Sequence, residues 1–458
     1  MQNHREHWGS HLGFILAAAG SAIGLGTLWK FPYVTGENGG GLFVLVYILC
    51  TFFIGIPVFV AELLLGRKAQ RGAVGVFDSL SRRSSFWKVT GWLGVISSFV
   101  ILSYYSVLAG WGLNYVFMSL SKFYEGRTVP EIQQVFDQLS KSGDITLFWQ
   151  AAFLAITTGL VYPGVRQGIE YWSKWMTSSL FVLLIALACY ACTLEGFWKA
   201  VHFVFYPHAA TLKPSGVLEA LGLSFFTLSL GQGVMLTYGS YMEEKEDIPK
   251  TSGIIASTII FASLLAALVI FPIIFTFGFS PEGGRGLVFK TLPVLFSKLP
   301  GAILISTAFF TLFVFTALTS AVALVEVVVA NFIDLLGWSR RKAVMVTGIG
   351  AFLFGIPSAL SETHTLFANW EAIYGKTFFA TVDDLTTVWL LPIGGMLIAL
   401  FTGFVLDKEV AKKEFLSGTK WGWLFTPWLF FIRWIVPIAI GLIILQQSGL
   451  IQVDTLFR

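Results

Sequence analysis

The sequence predicts an all-α polytopic membrane protein, built from two inverted five-helix repeats with broken first and sixth helices, plus an eleventh helix. The first observation is composition: of 458 residues, 55% are hydrophobic and only 12% are charged. This balance lies outside the range of ordinary soluble domains. The second is a series of long apolar segments, and the third is a pair of glycine-rich interruptions in two of them.

Apolar segments long enough to cross a bilayer, which takes roughly 20 residues, recur along the whole chain. They lie near residues 12–35, 41–66, 88–121, 146–163, 167–192, 217–242, 251–278, 302–336, 342–357, 377–405 and 424–446. We number these predicted spans one to eleven.

The first and sixth spans are each interrupted by glycines. Span one contains "GSAIGLGTLWKFPY" and span six contains "FFTLSLGQGVMLTY". Matched interruptions in two halves of a chain indicate inverted repeats with a binding site at mid-membrane. Close helix packing is the alternative use of such glycines, but packing explains neither Pro32 nor the matching Gly231 and Gly233. Since unwound backbone in lipid leaves polar groups unpaired, we expect a bound polar ligand at the breaks.

Basic residues predict the orientation in the cell membrane. The segment after span two contains Arg67, Lys68, Arg71, Arg82, Arg83 and Lys88. By the positive-inside rule this loop is cytoplasmic, so the N-terminus is inside and the C-terminus outside. The net charge of +4 is small for the length, and no nucleic-acid partner is expected; the sequence identifies no protein partner, only membrane lipid.

The predicted organisation follows from these spans. It comprises a cytoplasmic tail (1–11), the first repeat (12–192), an extracellular loop (193–216), the second repeat (217–405), and a cytoplasmic loop with span eleven and an outside C-terminus (406–458).

A series of motifs resembles the neurotransmitter:sodium symporter family, in particular its bacterial amino-acid transporters with eleven spans. The motifs are "REHWGSHLGFILAAAGSAIGLG", "KFPY", "ENGGG", "GIPVFVAELLLGR", "SYYSVLAGW", "FFTLSLGQG", "TYGSY" and "LTSAVAL". The resemblance covers essentially the whole chain. It implies the LeuT-like fold and a secondary active transporter that imports neutral, hydrophobic α-amino acids by alternating access. A membrane enzyme is the rival class, but the His, Cys, Asp and Glu residues of the spans do not cluster as a catalytic or metal site would require.

The resemblance also implies a substrate site at the two breaks. Amides of the half-helix after Gly26 and its positive dipole end would bind the carboxylate, with a hydroxyl donated by Tyr105. Gln232 stands where relatives usually carry a bulky apolar residue, which leaves the side-chain preference open. The implied substrate-binding residues are Ala22, Leu25, Gly26, Ile101, Tyr105, Phe226, Thr227, Ser229, Gln232, Ser320, Ala323 and Leu324.

The family's second sodium site is implied by residues of spans one and eight. Thr316, Thr319 and Ser320 share one helical face, which the family pairs with carbonyls of Gly20 and Ile23. Oxygen ligands of this kind suit a hard monovalent cation. The alternative is that the hydroxyls bond back to their own helix.

The family's first sodium site has fewer side-chain ligands in this sequence than in its relatives. Its implied residues are Ala22, Thr27 and Thr227, but Thr27 replaces the asparagine of relatives and Ile259 replaces a second amide or acid. We therefore expect at most one sodium ion per substrate, with proton-coupled or ion-independent transport as the alternative.

No chloride requirement and no other cofactor are expected. The glutamine of the chloride site in animal relatives is Leu223 here, although Tyr47 and Ser263 remain.

The resemblance implies gates on both sides of the site. Lys30 would face Asp383 on the outer side, with Asp384 as an additional acid, whereas an inner gate would join Arg5 to Asp334. Its supporting residues would be Trp8, Ser240 and Tyr241. Ordinary interfacial charge with snorkelling is the alternative for each of these.

Two acids within apolar spans are functional candidates. Glu62 is expected to bond the unpaired backbone of the broken helices, and Glu326 to carry a proton or contact water. The histidines His4, His7 and His11 are expected on one helical face of a solvated tail.

Overall fold

The computed structural model describes residues 5–81, 85–207, 212–279, 286–363, 365–367 and 369–456. Within these ranges the chain forms helices and no strand. The helices are α1 (His11–Ala22), α2 (Gly26–Glu37), α3 (Gly41–Ala69), α4 (Ala73–Leu80), α5 (Ser85–Leu120), α6 (Val129–Lys141), α7 (Gly143–Val161), α8 (Val165–Ala191), α9 (Phe197–Phe205), α10 (Pro214–Thr227), α11 (Val234–Gly239), α12 (Ile248–Thr276), α13 (Leu287–Ser297), α14 (Ala302–Leu336), α15 (Arg340–Ala359), α16 (Trp370–Tyr374), α17 (Phe378–Val405), α18 (Lys408–Leu416), α19 (Gly422–Gln447) and α20 (Val453–Leu456).

The described helices account for the predicted spans. Nine are long and apolar enough to cross a membrane, and α1 with α2 forms a tenth span that bends by 51° at its break. The second break separates α10 from α11. Counted as one broken span, α10 and α11 complete the predicted set of eleven.

The broken helices lie at the centre of the bundle. Helices α14 and α5 are its most enclosed spans, with 89% and 78% of their most apolar stretches buried, against 33% for α7, α8 and α19. Helix α1 packs on α8, α12 and α14, and α11 packs on α3. The two breaks are therefore surrounded by protein, which is where irregular backbone can exist in a membrane.

Five wide, π-helical turns lie just ahead of prolines. The turns 26–30, 51–55, 287–291, 385–390 and 431–435 each end two residues before Pro32, Pro57, Pro293, Pro392 or Pro437. A proline ring collides with the carbonyl four residues earlier and has no N–H, and that carbonyl belongs to the wide turn in every case. The wider turn lets the helix continue past the proline with a local distortion.

The second break has a backbone that favours glycine. Gly231 and Gly233 have φ angles of +77° and +80°. A Cβ atom on Gly231 would lie 2.2 Å from the carbonyl oxygen of Leu391. Helix α10 therefore ends at Thr227, and helical structure resumes only at Val234.

Glu62 of α3 compensates part of this break, as expected from the sequence. Its Oε1 atom accepts a hydrogen bond from the Gly231 amide at 2.8 Å, and the side chain is fully buried. An amide that would otherwise be unpaired in the bundle is thus satisfied from a neighbouring helix.

Several helices outside the spans were not predicted. The predicted loop 193–216 contains α9, and the segment after α5 contains α6. Helix α6 begins with a capping box, in which the Thr128 amide donates to Glu131 at 2.6 Å, and its "TVPE" sequence is a recognisable start signal. Helix α1 begins at His11, so His7 does not share a helical face with it; His4, Arg82 and Arg83 lie outside the described residues.

Replacing Glu62 by leucine should lower the stability of the protein by about 1–3 kcal/mol, because the Gly231 amide would lose its acceptor. Glu62→Gln keeps an oxygen at that position and serves as the matched control. Thermal unfolding of the purified variants in detergent is the measurement, and equal midpoints for Glu62→Leu and the unmodified protein would contradict this role.

Candidate functional site

A small cavity of about 30 Å³ lies between the two breaks. It is lined by Ser21, Ala22, Gly24, Leu25, Gly26, Ile101, Tyr105, Phe226, Ser229, Gln232, Val234, Ser320, Ala323 and Leu324. All the residues that the sequence placed around the substrate border this cavity, except Thr227. Ser21, Gly24 and Val234 were missed, although each lies within two residues of a predicted position.

Thr227 points away from the cavity toward α3. Its hydroxyl shares a 2.9 Å hydrogen bond with the Tyr47 hydroxyl and lies 3.0 Å from the Leu223 carbonyl, which it can donate to. Because its side chain is engaged with these groups, Thr227 does not line the cavity.

Glycines of the first break let the surrounding helices come close. A Cβ atom on Gly24 would lie 2.7 Å from Oγ of Ser320, and one on Gly26 would lie 2.6 Å from the ring of Phe226. Larger residues at these positions would displace the Ser320 and Phe226 side chains and change the shape of the cavity.

Hydrogen-bond donors converge at one end of the cavity. The Leu25 amide donates to the Tyr105 hydroxyl oxygen at 3.4 Å, which leaves the hydroxyl proton available to another acceptor. Helix α2 begins at Gly26, so its first amides have no acceptor within the helix and its positive dipole end faces the break. This end of the cavity is suited to an anionic group.

Helix α14 meets the end of α1 at the predicted second sodium site. Ser320 donates to the Ser21 carbonyl at 2.8 Å, and the Thr319 methyl group would lie 3.4 Å from a Cβ atom on Gly20. The Thr316 and Thr319 hydroxyls donate to carbonyls one turn earlier on their own helix, at 2.7 and 3.0 Å. Because a hydroxyl that donates its proton keeps its oxygen lone pairs, these bonds do not prevent the oxygens from binding a cation.

The residues of the predicted first sodium site provide fewer free oxygens. The Thr27 hydroxyl is buried and has no hydrogen-bond partner among the described residues. Ile259 is also fully buried and its side chain carries no oxygen. The Ala22 carbonyl accepts the Gly24 amide at 2.8 Å and keeps a second lone pair. Thr27 therefore remains as the free side-chain oxygen in this set.

The end of the bundle that carries Arg5, here called the inner end, is closed by the predicted inner-gate residues. Arg5 forms an ion pair with Asp334 at 2.6 Å and also donates to the Ser240 hydroxyl at 2.7 Å. Its guanidinium lies 4.8 Å from the centre of the Tyr241 ring, and the Trp8 indole donates to a carbonyl of α11 at 3.0 Å.

Glu170 holds the same N-terminal segment and was missed by the sequence analysis. Its carboxylate accepts hydrogen bonds from the Gly9 amide at 2.5 Å and the Ser10 hydroxyl at 2.9 Å, and it pairs with Lys174 at 2.6 Å. A Cβ atom on Gly13 would lie 2.0 Å from the carboxylate. A buried acid within an apolar span was the available signal.

Glu326 forms a buried ion pair rather than the water contact that was one of its two expected roles. Arg340 at the start of α15 binds it at 2.6 Å, and the Tyr241 hydroxyl donates to it at 2.6 Å. Because Glu326 is fully buried, the arginine balances a charge that would otherwise be costly. This pair joins the inner ends of α14 and α15 to the segment after α11.

The predicted outer pair of Lys30 and Asp383 is not formed: no ion pair joins them within the described ranges. The Lys30 ammonium instead lies 4.7 Å from the centre of the Phe226 ring. Asp384 pairs with Lys376. The two ends of the bundle thus differ, since the inner pair is closed and the outer pair is apart.

Removing the Arg5–Asp334 pair should open the inner end more often, because the pair stabilises only the state in which that end is shut. We expect Arg5→Ala and Asp334→Ala to speed thiol labelling of Ala19→Cys, a fully buried position on α1, with Cys50, Cys189 and Cys192 replaced by serine. Lys376→Ala breaks a pair at the other end and is the control. Unchanged labelling in both inner variants would count against the gate.

Comparisons with known proteins agree with this architecture. The sequence profile of the Sodium:neurotransmitter symporter family matches residues 5–126 and 121–393. The sodium-dependent transporter YhdH of Bacillus subtilis (strain 168) is 40% identical over 446 residues, covering 97% of this chain and 98% of that protein. The sodium-dependent neutral amino acid transporter B(0)AT2 of Bos taurus is 29% identical over 303 residues, covering 60% of this chain and 41% of its own.

A solved structure confirms the predicted fold. The crystal structure of MhsT in complex with L-phenylalanine matches with a TM-score of 0.88 and 42% identity, over 96% of this chain and 99% of that one. The LeuT-like fold is therefore confirmed. The chain belongs to the sodium:neurotransmitter symporter family and is a multi-pass, sodium-dependent membrane transporter rather than an enzyme.

Proposed function

We propose that this protein imports neutral, hydrophobic α-amino acids into the cell by alternating access. The observation that carries the proposal is the cavity between the two breaks, which combines donors at one end with an uncharged lining. An α-amino acid brings a carboxylate and an ammonium group, and the breaks supply partners for both.

The two charged groups of the substrate match the two kinds of unpaired backbone. The carboxylate would accept from the first amides of α2 and from Tyr105, whereas the ammonium would donate to carbonyls near Ala22 and Phe226. Ser229, whose hydroxyl lies 3.5 Å from the Ser21 carbonyl, borders the same region.

The lining favours an uncharged side chain. It contains no Asp, Glu, Lys or Arg, and a buried charge without a partner is strongly unfavourable. Ile101, Phe226, Val234, Ala323 and Leu324 give it an apolar wall. The L-phenylalanine bound to MhsT and the neutral amino acids in the name of the bovine relative support the same substrate class.

The two ends of the bundle support alternating access. Arg5 and Asp334 are paired at one end, whereas Lys30 lies over Phe226 and apart from Asp383 at the other, as expected of a transporter closed at one gate. We assign the inner end to the cytoplasm, because Arg67, Lys68 and Arg71 lie on that side; this places the C-terminus outside.

We assign sodium binding to the second site. Gly20, Ile23, Thr316, Thr319 and Ser320 would supply carbonyl and hydroxyl oxygens there. The first site would have to bind with Thr27 as its free side-chain oxygen and with Ile259 beside it, and the loss of an oxygen ligand weakens compensation for ion desolvation. One sodium ion per substrate is therefore the proposed stoichiometry.

Uptake into proteoliposomes tests the proposed function. A panel of radiolabelled amino acids is offered under an imposed sodium gradient or an imposed proton gradient, with no gradient as the control. We expect saturable uptake of neutral amino acids driven by sodium, without competition by lysine or glutamate. Uptake driven by protons alone would support the alternative coupling, and non-saturating flux would indicate a channel.

Tyr105→Phe should weaken substrate binding by about 1.5–3 kcal/mol, roughly tenfold to a hundredfold, because a charge-assisted donor to the carboxylate is lost. Tyr104→Phe is the matched control, since the Tyr104 hydroxyl bonds to Thr386 at 3.1 Å and does not line the cavity. Competition binding measures both; equal affinities in the Tyr105 variant and the unmodified protein would show that this hydroxyl does not contact substrate.

Sodium dependence of substrate binding should follow a Hill coefficient near one. Thr319→Val should raise the half-saturating sodium concentration at least tenfold, whereas Thr27→Val, which has the same shape change, should alter it less than twofold. The physical reason is that only the second site retains all the carbonyl and hydroxyl oxygens that the family uses to bind the ion. Sigmoidal sodium binding, or a large effect of Thr27→Val, would disprove the single-ion stoichiometry.

A further inference from the structure

Gln232 places an amide side chain in the wall of the cavity. The residue is 7% exposed and lies between the two glycines of positive φ in the second break. The Ser98 hydroxyl donates to its backbone carbonyl at 2.6 Å. Its backbone is therefore fixed by a neighbouring helix, and the residue lines the cavity.

The side-chain amide of Gln232 forms no hydrogen bond with any residue in the described part of the chain. The other polar side chains of the lining do have such partners. Ser21 donates to the Ala18 carbonyl at 2.9 Å, Ser229 and Ser320 both reach the Ser21 carbonyl, and Tyr105 accepts from Leu25. Gln232 is thus the polar lining side chain that has no hydrogen-bond partner at all among the described residues, so both its donors and its acceptor remain for a ligand.

An amide side chain carries two N–H donors and an oxygen acceptor. A hydrocarbon substrate side chain that filled the cavity would displace water from these groups and leave them unpaired, which is unfavourable in a buried site. A substrate side chain with a donor or acceptor of its own would satisfy them. A charged side chain would gain less, because one neutral amide cannot replace the hydration of an ion.

We propose that Gln232 makes this transporter select, among neutral amino acids, those whose side chain carries an uncharged hydrogen-bonding group. An amide, a hydroxyl or an indole N–H on an otherwise apolar side chain meets this requirement. The inference rests on the proposed function and narrows its substrate class, since the apolar wall holds the hydrocarbon part and Gln232 binds the polar group.

Measuring two substrates against two forms of the protein tests the proposed hydrogen bond between Gln232 and the substrate side chain. Glutamine and methionine have nearly the same shape, but only glutamine carries a terminal amide. The substitution Gln232→Met likewise removes an amide from the protein with little change of side-chain shape. Inhibition constants of both amino acids are measured by competition against a radiolabelled substrate, in the unmodified protein and in Gln232→Met. We expect the affinity of glutamine relative to methionine to fall at least tenfold in the variant, because a site that hydrogen-bonds a substrate discriminates against analogues that lack the group.

Leu324→Met is the matched control, because it alters an apolar part of the same lining and should change both affinities alike. Gln232→Leu replaces Gln232→Met if the latter fails to fold. An unchanged ratio in the folded variant would overturn the inference, as would an unmodified protein that binds methionine more than tenfold tighter than glutamine. Either result leaves the proposed function intact provided that neutral amino acids are transported; failure to transport any amino acid would reject the proposed function itself.

Discussion

The requirement that every backbone polar group be satisfied away from water governs this structure. Two helices are interrupted at the centre of the bundle, where some backbone groups lose their partners within the helix. Side chains of neighbouring helices replace some of these partners. Glu62 supplies an acceptor to Gly231 from α3, and Ser320 supplies a donor to the Ser21 carbonyl from α14. The cavity lies between these two breaks, so the proposed substrate site is a consequence of the broken backbone.

The inner end shows how the same bundle holds an irregular segment in place. The residues before α1 have no helical structure to fix them, and they are held by charged groups on other elements. Asp334 binds Arg5, and Glu170 binds Gly9 and Ser10. Because these contacts join segments far apart in the chain, a rearrangement of the bundle would break several of them together, which is the behaviour expected of a two-state closure.

The ion pair of Glu326 and Arg340 differs from that of Arg5 and Asp334 because its carboxylate is fully buried. Its carboxylate is fully enclosed and has two strong partners, Arg340 and Tyr241. Removing one partner of such a pair is strongly destabilising, since the other charge is left without compensation. Its position beside Tyr241, which also contacts Arg5, joins the pair to the closure of the inner end.

The sequence by itself determined the class of protein, the spans and the positions of the two breaks, because these depend on local composition and on glycine and proline at fixed positions. It also contained signals that were overlooked, such as the prolines that follow five of the wide turns and the capping box at Thr128. Only the tertiary structure decided that Thr227 faces Tyr47, that Glu326 pairs with Arg340, and that Lys30 lies over Phe226 and apart from Asp383. Those contacts join residues far apart in the chain, and the Lys30 contact also depends on which end of the bundle is closed, so local sequence cannot specify them.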